Sequence, residues 1–256
     1  MTILPTAAPT SKTPAPYYSD DTVTLYHGDC RELIGDQAFT FADCVVTDPP
    51  YGETSLEWDR WPPGWPSLLP GRSLWCFGSM RMFLDRRDDF AGWQLSQDIV
   101  WEKHNGSGFH ADRFKRVHEH ALHWYRGPWG EVYKEPQFTA DATARAVRRK
   151  SRPTHTGNIE GSSYVSHDGG PRLMRSVQQV RSMHGSAIHP TEKPIGILDP
   201  LIRYSCPPGG LVLDPFAGSG STLDAARRSG RRAIGIETRE DYCEAVARRL
   251  SQGVLL

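Results

Sequence analysis

The chain has 256 residues, and its 30 Lys and Arg residues balance its 30 Asp and Glu residues. A formal charge of zero argues against a uniformly basic nucleic-acid coat and against an acidic disordered chain, but it leaves the distribution of charge open. Apolar residues make up 38% of the chain, with 24 Gly and 20 Pro. This composition predicts a soluble, loop-rich protein, and no apolar run approaches the ~18–20 residues that span a bilayer.

The five cysteines are widely spaced and never form a C-x-x-C pair. Such an arrangement fits neither a disulfide framework nor a cysteine zinc site, so we predict a protein of the reducing cytoplasm. Residues 1–21 are predicted to be a disordered tail, because prolines stand among Thr, Ser and Ala and no signal-peptide pattern is present.

From residue 22 onward the hydrophobic pattern predicts an alternation of strands and helices. Two consecutive prolines end the buried strand at 42–47. The other elements predicted before residue 127 are strands at 23–26, 73–77, 97–101 and 118–125 and helices at 31–34 and 80–89. Residues 127–185 hold few aliphatic side chains and many Gly, Ser, Thr and Arg residues, so we interpret them as an insert.

The last part of the chain reads as a β-α-β-α unit of the doubly wound type. A helix at 197–204 is followed by a strand at 209–214, a helix at 221–228, a strand at 232–237 and a helix at 239–250. The predicted fold is therefore α/β, with a mostly parallel Rossmann-like sheet that contains one antiparallel strand. Its domain would comprise residues 22–126 and 186–256.

A glycine turn joins the strand that ends at Asp214 to the following helix. Gly218 and Gly220 would let a ligand lie against the backbone beside the unpaired N–H groups of the helix. The dinucleotide fingerprint fails because its third glycine is Leu223, and no Gly-Lys-Ser/Thr follows. Asp214 and Glu237, at the ends of successive strands, favour a nucleoside ligand that carries positive charge. A turn built only for packing is the alternative.

The segment Asp48-Pro49-Pro50-Tyr51 follows a buried strand and is the most specific signal in the chain. The prolines fix the backbone, so that a carbonyl and the Asp48 carboxylate can accept the two hydrogens of an exocyclic amine. Tyr51 offers a flat face to a planar base. Accepting both hydrogens would stabilise the positive charge that develops when the amine attacks. The alternative is a strand terminator with a capping Asp and a packed Tyr.

Together these motifs resemble those of the DNA amino-methyltransferases. Asp48-Pro49-Pro50-Tyr51-Gly52 is similar to their catalytic motif, and residues 214–220 are similar to their S-adenosylmethionine motif. Residues 189–194, His-Pro-Thr-Glu-Lys-Pro, resemble a further element of the cofactor pocket. The permuted order, with the catalytic motif first, the cofactor motif last and an insert between them, resembles the β group. The middle motifs of that group also resemble residues 101–103 and 118–122.

The resemblance implies a role for each matched residue. Asp48, Pro49 and Pro50 would hold the target amine, and Tyr51 would stack on the base. Asp29 matches a position near the cofactor adenine, with helix capping as its alternative. Asp214 would contact the amino-acid portion of the cofactor or organise the turn. The remaining residues implied to line the S-adenosylmethionine site are Thr191 and Lys193 at the methionine carboxylate, Phe216, Gly218 and Gly220 packed against the cofactor, and Glu237 at the ribose.

The implied activity is the methylation of adenine N6 in a specific site of double-stranded DNA, as in restriction-modification. Asp rather than Ser at position 48 favours adenine over cytosine N4. Cytosine N4 methylation remains an alternative, as do an inactive DNA-binding protein on the same scaffold and a methyltransferase for RNA or small molecules. A nucleoid-associated protein is expected, and a homodimer is plausible because β-group relatives often pair.

Charge is distributed unevenly along the chain. Residues 101–190 hold 14 Lys and Arg against 8 Asp and Glu, a net charge of +6, which leaves 16 against 22, or −6, elsewhere. Duplex DNA requires cations for its phosphates, so the insert, 127–185, is predicted to recognise the target. A solvated loop is the alternative. The predicted DNA-binding residues are Arg145, Arg148, Arg149, Lys150, Arg152, Arg172, Arg175 and Arg181.

Two further groups of residues are ambiguous. His118, His120 and His123 miss the H-E-x-x-H spacing, and strand alternation turns His123 away from the other two, so no metal site is predicted. Three tryptophans follow the Asp-Pro-Pro-Tyr segment and either stack near a base or pack in the core; they are Trp58, Trp61 and Trp65.

Overall fold

The structure is a computed structural model that describes residues 14–35, 41–107, 111–147, 164–183 and 192–252. The chain forms two compact units. The larger consists of Met1–Glu135 and Ser176–Leu256, and the smaller of Pro136–Arg175. The smaller unit lies within the range predicted as an insert, whereas residues 127–135 and 176–183 belong to the larger unit.

Strands and helices alternate before residue 94 and after residue 179, and the described residues between these positions contain strands without an α-helix. The strands are β1 (Tyr18–Ser19), β2 (Val23–His27), β3 (Cys44–Thr47), β4 (Ser73–Gly78), β5 (Gln94–Ser107), β6 (Arg116–Tyr125), β7 (Phe138–Thr139), β8 (Arg145–Val147), β9 (Tyr164–Ser166), β10 (Arg172–Leu173), β11 (Val177–Gln179), β12 (Leu211–Asp214) and β13 (Arg232–Glu237). The helices are α1 (Cys30–Gly35), α2 (Trp65–Leu68), α3 (Met80–Asp85), α4 (Ile195–Ser205), α5 (Ser221–Arg228) and α6 (Glu240–Ser251).

The larger unit is built on one nine-stranded sheet in the order β1-β2-β13-β12-β3-β4-β6-β5-β11. Strands β2, β13, β12, β3 and β4 are parallel to one another. Strand β6 is antiparallel to both of its neighbours, β4 and β5, and the two-residue β1 is antiparallel to β2. The predicted α/β fold with a mostly parallel sheet is confirmed, but the sheet contains two antiparallel strands, β6 and the short β1, where one was predicted.

Side chains alternate between two cores, one on each face of the sheet. On one face, Val46 and Trp75 pack with side chains of α4, α5 and α6. On the other face, Val45 and Leu74 pack with α1 and with the aromatic cluster around Trp65. Because both faces are covered, the central strands are buried at every position, which explains their continuous apolar runs.

The structure differs from the sequence predictions at several element boundaries; β5, for example, covers Gln94–Ser107 where a strand at 97–101 was predicted. The predicted disordered tail extends to residue 21, yet Tyr18–Ser19 pairs with β2, and Asp20 Oδ1 accepts hydrogen bonds from Thr22 N and Val23 N at 2.8 Å. The helix predicted at 80–89 ends at Asp85, and a separate 3-10 turn covers Arg87–Phe90. At the tail, the Asp20 carboxylate sets a boundary that hydrophobic spacing does not report.

The smaller unit contains two short antiparallel pairs, β7 with β10 and β8 with β9. Side-chain contacts hold the second pair: Ser166 Oγ donates to Thr143 O at 2.7 Å, and Asp168 Oδ1 accepts from Ala144 N at 2.6 Å. The predicted basic residues Arg148, Arg149, Lys150 and Arg152 lie outside the described residues.

Candidate active site

The site lies where two central strands, β3 and β12, end side by side. The chain continues from β3 to β4 on one side of this pair and from β12 to β13 on the other, which creates a crevice at the carboxyl edge of the sheet. A cavity of about 360 Å³ opens there. Its walls bring together most of the residues predicted from sequence: Asp29, Asp48, Pro49, Pro50, Tyr51, Lys193, Asp214, Phe216, Gly218 and Glu237.

Asp48 follows the last residue of β3 and is fixed at both carboxylate oxygens. The Tyr51 hydroxyl donates to Oδ1 at 2.6 Å, and Lys193 Nζ donates to Oδ2. Burial raises the pKa of Tyr51 well above its ordinary value, and the charges of Asp48 and Glu119 add to this effect. Tyr51 therefore stays protonated and donates, so one end of the carboxylate is held by a neutral donor and the other by a cation.

Lys193 is the buried cation of this cluster, and only 6% of its side chain is exposed. Its Nζ also lies 3.4 Å from Oε2 of Glu119, whose Oε1 accepts from Lys103. Burial alone would lower the pKa of Lys193, but the carboxylates of Asp48 and Glu119 outweigh it and raise this pKa. Burial alone would raise the pKa of Glu119, yet the two lysines lower it to about 2. Lys193 and Glu119 are therefore both charged at neutral pH.

Lys193 was predicted to reach the methionine carboxylate of a cofactor. The structure places its ammonium group on Asp48 and Glu119 instead, although the residue does line the cavity. Thr191, predicted for the same role, lies outside the described residues. Its neighbour Glu192 is buried and accepts a hydrogen bond from Arg249 Nη1 at 2.8 Å.

The loop after Tyr51 is organised by Asp59, which the sequence analysis did not single out. Its carboxylate accepts hydrogen bonds from three successive backbone N–H groups, those of Gly52, Glu53 and Thr54, at 2.7–3.1 Å. Gly52 has a φ of 72°, in the left-handed region that favours glycine. This closed loop supports the wall of the cavity next to Tyr51.

Asp214, the last residue of β12, is buried next to the glycine turn. Its Oδ1 accepts from the Thr47 hydroxyl at 2.7 Å and from Phe216 N at 3.1 Å. Burial raises the pKa of Asp214 to about 6, although the hydrogen bonds from Thr47, Thr222 and Phe216 oppose the increase. Asp214 thus ties the ends of β3 and β12 together and shapes the turn, in addition to facing the cavity.

The turn itself requires its two glycines. Gly218 and Gly220 have φ values of 51° and 75°. A Cβ atom at Gly220 would lie 2.8 Å from Cγ1 of Val246 on α6, so glycine also permits close packing there. Gly235 on β13 has a comparable role, because a Cβ would approach Leu223 Cδ1 to 2.7 Å. The close helix–strand packing given by a third glycine in dinucleotide folds is thus provided from the neighbouring strand.

Glu237 ends β13 across the turn. Its Oε2 accepts from Gly218 N at 2.8 Å and its Oε1 from Arg239 N at 2.8 Å. Burial raises the pKa of Glu237, partly offset by these hydrogen bonds. Each carboxylate oxygen accepts a second hydrogen bond readily, so the buried acid on the cavity wall fits a pair of ribose hydroxyls. The Glu237 carboxylate and the glycine turn together fit S-adenosylmethionine.

Asp29 lies on the cavity wall, but its carboxylate serves helix α1. Oδ1 accepts from Arg31 N at 2.8 Å, the contact expected of an N-cap residue, and the Arg31 guanidinium pairs with both oxygens. The Arg31 side chain holds the pKa of Asp29 below its ordinary value. The capping alternative is therefore present in the structure, and the cofactor role of Asp29 stays a prediction.

The aromatic residues divide between core and cavity. Trp65 is fully buried and meets Phe216 edge-to-face at 5.1 Å, and Trp61 is buried with its Nε1 donating to Asp89. Trp58 is half-buried and lines the cavity. The packing interpretation thus holds for two of the three tryptophans, and Trp58 alone is placed to contact a ligand.

The remaining predicted residues are basic or histidine. Arg145, Arg175 and Arg181 are exposed, whereas Arg172 is half-buried and pairs with Asp141 at 2.5 Å. Among the histidines, His123 is buried, and its Nε2 lies 2.9 Å from the Ser73 hydroxyl. No cluster of three or more metal-ligating side chains occurs within the described residues.

Comparison with known proteins shows the family to which this chain belongs. The family model for N6/N4 DNA methylases, described as "DNA methylase", matches residues 42–248, which is most of the chain. The chain belongs to the N6/N4 DNA methylase family. The cavity at the end of β3 is accordingly the candidate active site of a DNA methyltransferase. Whether its target is adenine N6 or cytosine N4 is not decided by family membership, because the family includes both.

Individual N6/N4 methylases and related structures align over most of the chain. The type II methyltransferase M.ScaI of Streptomyces caespitosus is 28% identical over 92% of this chain and 83% of its own. The crystal structure of an M1.HpyAVI–SAM complex is 25% identical, covers 89% of this chain and 99% of its own, and has a TM-score of 0.59. The cytosine-N4-specific PvuII DNA methyltransferase shares the fold, with 18% identity over 91% of this chain and 88% of its own and a TM-score of 0.61.

Among the helices that the structure describes, none has the length and apolar character needed to cross a membrane.

Proposed function

We propose that this protein methylates the N6 amine of adenine within a specific site in double-stranded DNA. One observation carries the proposal: the Asp48 carboxylate lies on the wall of a cavity whose other end is the glycine turn and Glu237. A base amine and a cofactor methyl group can therefore meet in one cavity. S-adenosylmethionine is the cofactor, and when bound it supplies a methyl group on a positively charged sulfur.

Asp48 acts on the amine through its carboxylate. With Tyr51 on Oδ1 and Lys193 on Oδ2, the carboxylate has a fixed orientation before a base arrives. An accepting oxygen at the amine favours the pyramidal nitrogen and stabilises the charge that develops during transfer. No covalent nucleophile is needed, because positioning and electrostatics suffice for a direct transfer.

The cofactor end of the cavity is formed by backbone and acid groups. Gly218 lets the ligand lie close to the turn, Phe216 provides an apolar wall, and Glu237 accepts hydrogen bonds from the ribose hydroxyls. Gly220 lies outside the cavity wall and contributes by shaping the turn. Asp214 orders the turn through Phe216 N. Trp58, on the same cavity, offers a face for the extruded base.

The choice of adenine rests on Asp48 itself. In the family resemblance, Asp at this position favours adenine N6 and Ser favours cytosine N4. A base inside a duplex must be flipped out before it reaches the cavity, so DNA contacts from the basic insert belong to the proposal. A reducing cytoplasm, in contact with the chromosome, is the proposed location.

The test is nucleoside mass analysis of duplex DNA treated with the wild-type protein and with Asp48→Asn. We expect N6-methyladenine from the wild type and a loss on the order of 10²–10³-fold in kcat for the variant, because a neutral amide stabilises the positive charge that develops on the amine less than a carboxylate does. Asp85→Asn, at the exposed end of α3, is the matched control and should keep full activity. Calorimetric S-adenosylmethionine affinity should change less than about threefold in either variant, a tenfold change being about 1.4 kcal/mol. Methylcytosine without methyladenine would contradict the choice of base.

A further inference from the structure

Four charged side chains form a continuous row beneath the candidate active site. In order they are Lys103 on β5, Glu119 on β6, Lys193 before α4 and Asp48 after β3. The exposed fractions of these side chains are 18%, 13%, 6% and 19%. The charges alternate in sign along the row, so each buried charge has an opposite charge beside it.

The geometry of the sheet explains how Glu119 reaches this row. Strand β6 is antiparallel to β4, and its register places His120 opposite Gly78, the last residue of β4. Glu119, one residue earlier in β6, therefore lies at the carboxyl edge, close to the end of β3. Its partner Lys103 is two residues beyond Trp101, which pairs with Glu119 across β5 and β6.

A buried lysine whose only partner is one carboxylate would take up the capacity of that carboxylate to accept further hydrogen bonds. Here the Lys193 ammonium group is shared, because Nζ contacts Asp48 Oδ2 and Glu119 Oε2. Removing one member of such a buried set leaves an unbalanced charge in a medium of low polarity, so the remaining pairs rearrange. The contact between Lys193 and Asp48 thus depends on Glu119, which lines no part of the cavity.

We propose that Glu119 is a positioning residue for methyl transfer: it holds Lys193 between two carboxylates, so that Asp48 is oriented by the lysine but keeps acceptor capacity for the target amine. This inference rests on the proposed function and deepens it. Lys193 then serves the reacting amine through Asp48 rather than binding the cofactor. Other ionisable groups around Asp48 are Tyr51 on the same loop, Asp214 on β12 and Cys76 on β4.

The main test compares Glu119→Gln with Glu102→Gln. Glu102 is the preceding neighbour of Lys103 on β5 and, by strand alternation, faces away from the row. We expect Glu119→Gln to lower kcat for DNA methylation at least tenfold and to leave the KM and the calorimetric Kd for S-adenosylmethionine within about twofold. Glu102→Gln should keep both kcat and KM.

A second test separates positioning from cofactor binding. Lys193→Gln should lower kcat without weakening S-adenosylmethionine binding, and Lys193→Arg should restore part of the loss. Because Glu119 acts through Lys193, the Lys193→Gln/Glu119→Gln double variant should be no worse than Lys193→Gln alone. A cofactor affinity at least tenfold weaker in Lys193→Gln, or losses in kcat that multiply in the double variant, would overturn the proposal.

A variant that removes both members of the Lys103–Glu119 ion pair serves as the control for folding. Lys103→Met/Glu119→Gln leaves Lys193 and Asp48 in balance, and this variant should fold and still show the kcat loss. Full activity in this folded variant contradicts the positioning role. If the wild-type protein methylates no DNA at all, the proposed function fails instead, so the two failures are distinguishable.

Discussion

At the scale of single residues, the buried acid Asp214 makes the stability of the folded protein depend on pH. Its side chain is nearly inaccessible, and burial raises its pKa to about 6. The folded protein therefore binds a proton at Asp214 over a range where the unfolded chain has lost it. Stability contributed by this proton is present at low pH and is lost as the pH rises from about 4 to about 6.

We predict that Asp214→Asn removes this pH dependence. Asn keeps an oxygen for Thr47 and Phe216 but has no titrating proton. The difference in unfolding free energy between variant and wild type should change in favour of the variant by up to about 3 kcal/mol between pH 4 and pH 7. Urea unfolding at several pH values measures this difference. Parallel stability curves for the two proteins would contradict the prediction.

Which residues the sequence could identify depended on the range of the interactions that define them. Asp48, Tyr51 and Glu237 stand at strand ends next to local backbone signals, and the structure places all three on one cavity. Glu119 and Lys103 lie in segments that resemble the middle motifs of the family, but their contact depends on the register between β5 and β6, which the sequence does not give. The available clue was an acid on the inward face of β6, in alternation with the buried Ala121 and His123.

At the scale of elements, the turn between β12 and α5 illustrates two separate demands on glycine. Gly220 needs a left-handed backbone and also space against Val246, whereas Gly230, after α5, has a φ of 73° and open space around the position that a Cβ would take. The sequence predicted the elements on both sides of the turn closely, since their hydrophobic periodicity is local. It could not predict the contact with α6, which is tertiary.

This pair of glycines gives a controlled prediction. Gly230→Ala should cost about 1–2 kcal/mol, the penalty for a left-handed alanine. Gly220→Ala should cost more, because Val246 must also move, and it should weaken S-adenosylmethionine binding where Gly230→Ala does not. Thermal unfolding and calorimetric titration provide the two measurements. Equal stability losses in both variants would show that the contact with Val246 relaxes freely.

At the scale of the whole molecule, zero net charge conceals a segregated charge pattern. Residues 101–190 carry a net charge of +6, and the rest of the chain carries −6. Arg145 on β8 is exposed, and no acidic side chain of the described residues forms a salt bridge with it, unlike Arg172 with its partner Asp141. Arg145 is therefore the clearest candidate for a phosphate contact among the described residues of the insert.

We predict that Arg145→Gln weakens duplex binding and makes it less sensitive to salt. One lost phosphate contact should reduce the slope of log K against log salt concentration by about 0.9. Arg232→Gln is the matched control, since Arg232 begins β13 at the edge opposite the cavity. Fluorescence anisotropy with a short duplex between about 50 and 200 mM salt measures both slopes. An unchanged slope for Arg145→Gln would remove it from the DNA-binding surface.

The reversal of β6 has a consequence for mutational tolerance. In the parallel strands β3, β12 and β13, the cavity residues Asp48, Asp214 and Glu237 lie at or just after the last position, so we expect substitutions at the first positions to affect only stability. In β6 this polarity is inverted: Glu119 near its beginning contacts Lys193 beside the cavity, and Trp124 near its end belongs to the core. Activity-sensitive positions should therefore lie near the beginning of β6, but near the ends of the parallel strands β3, β12 and β13.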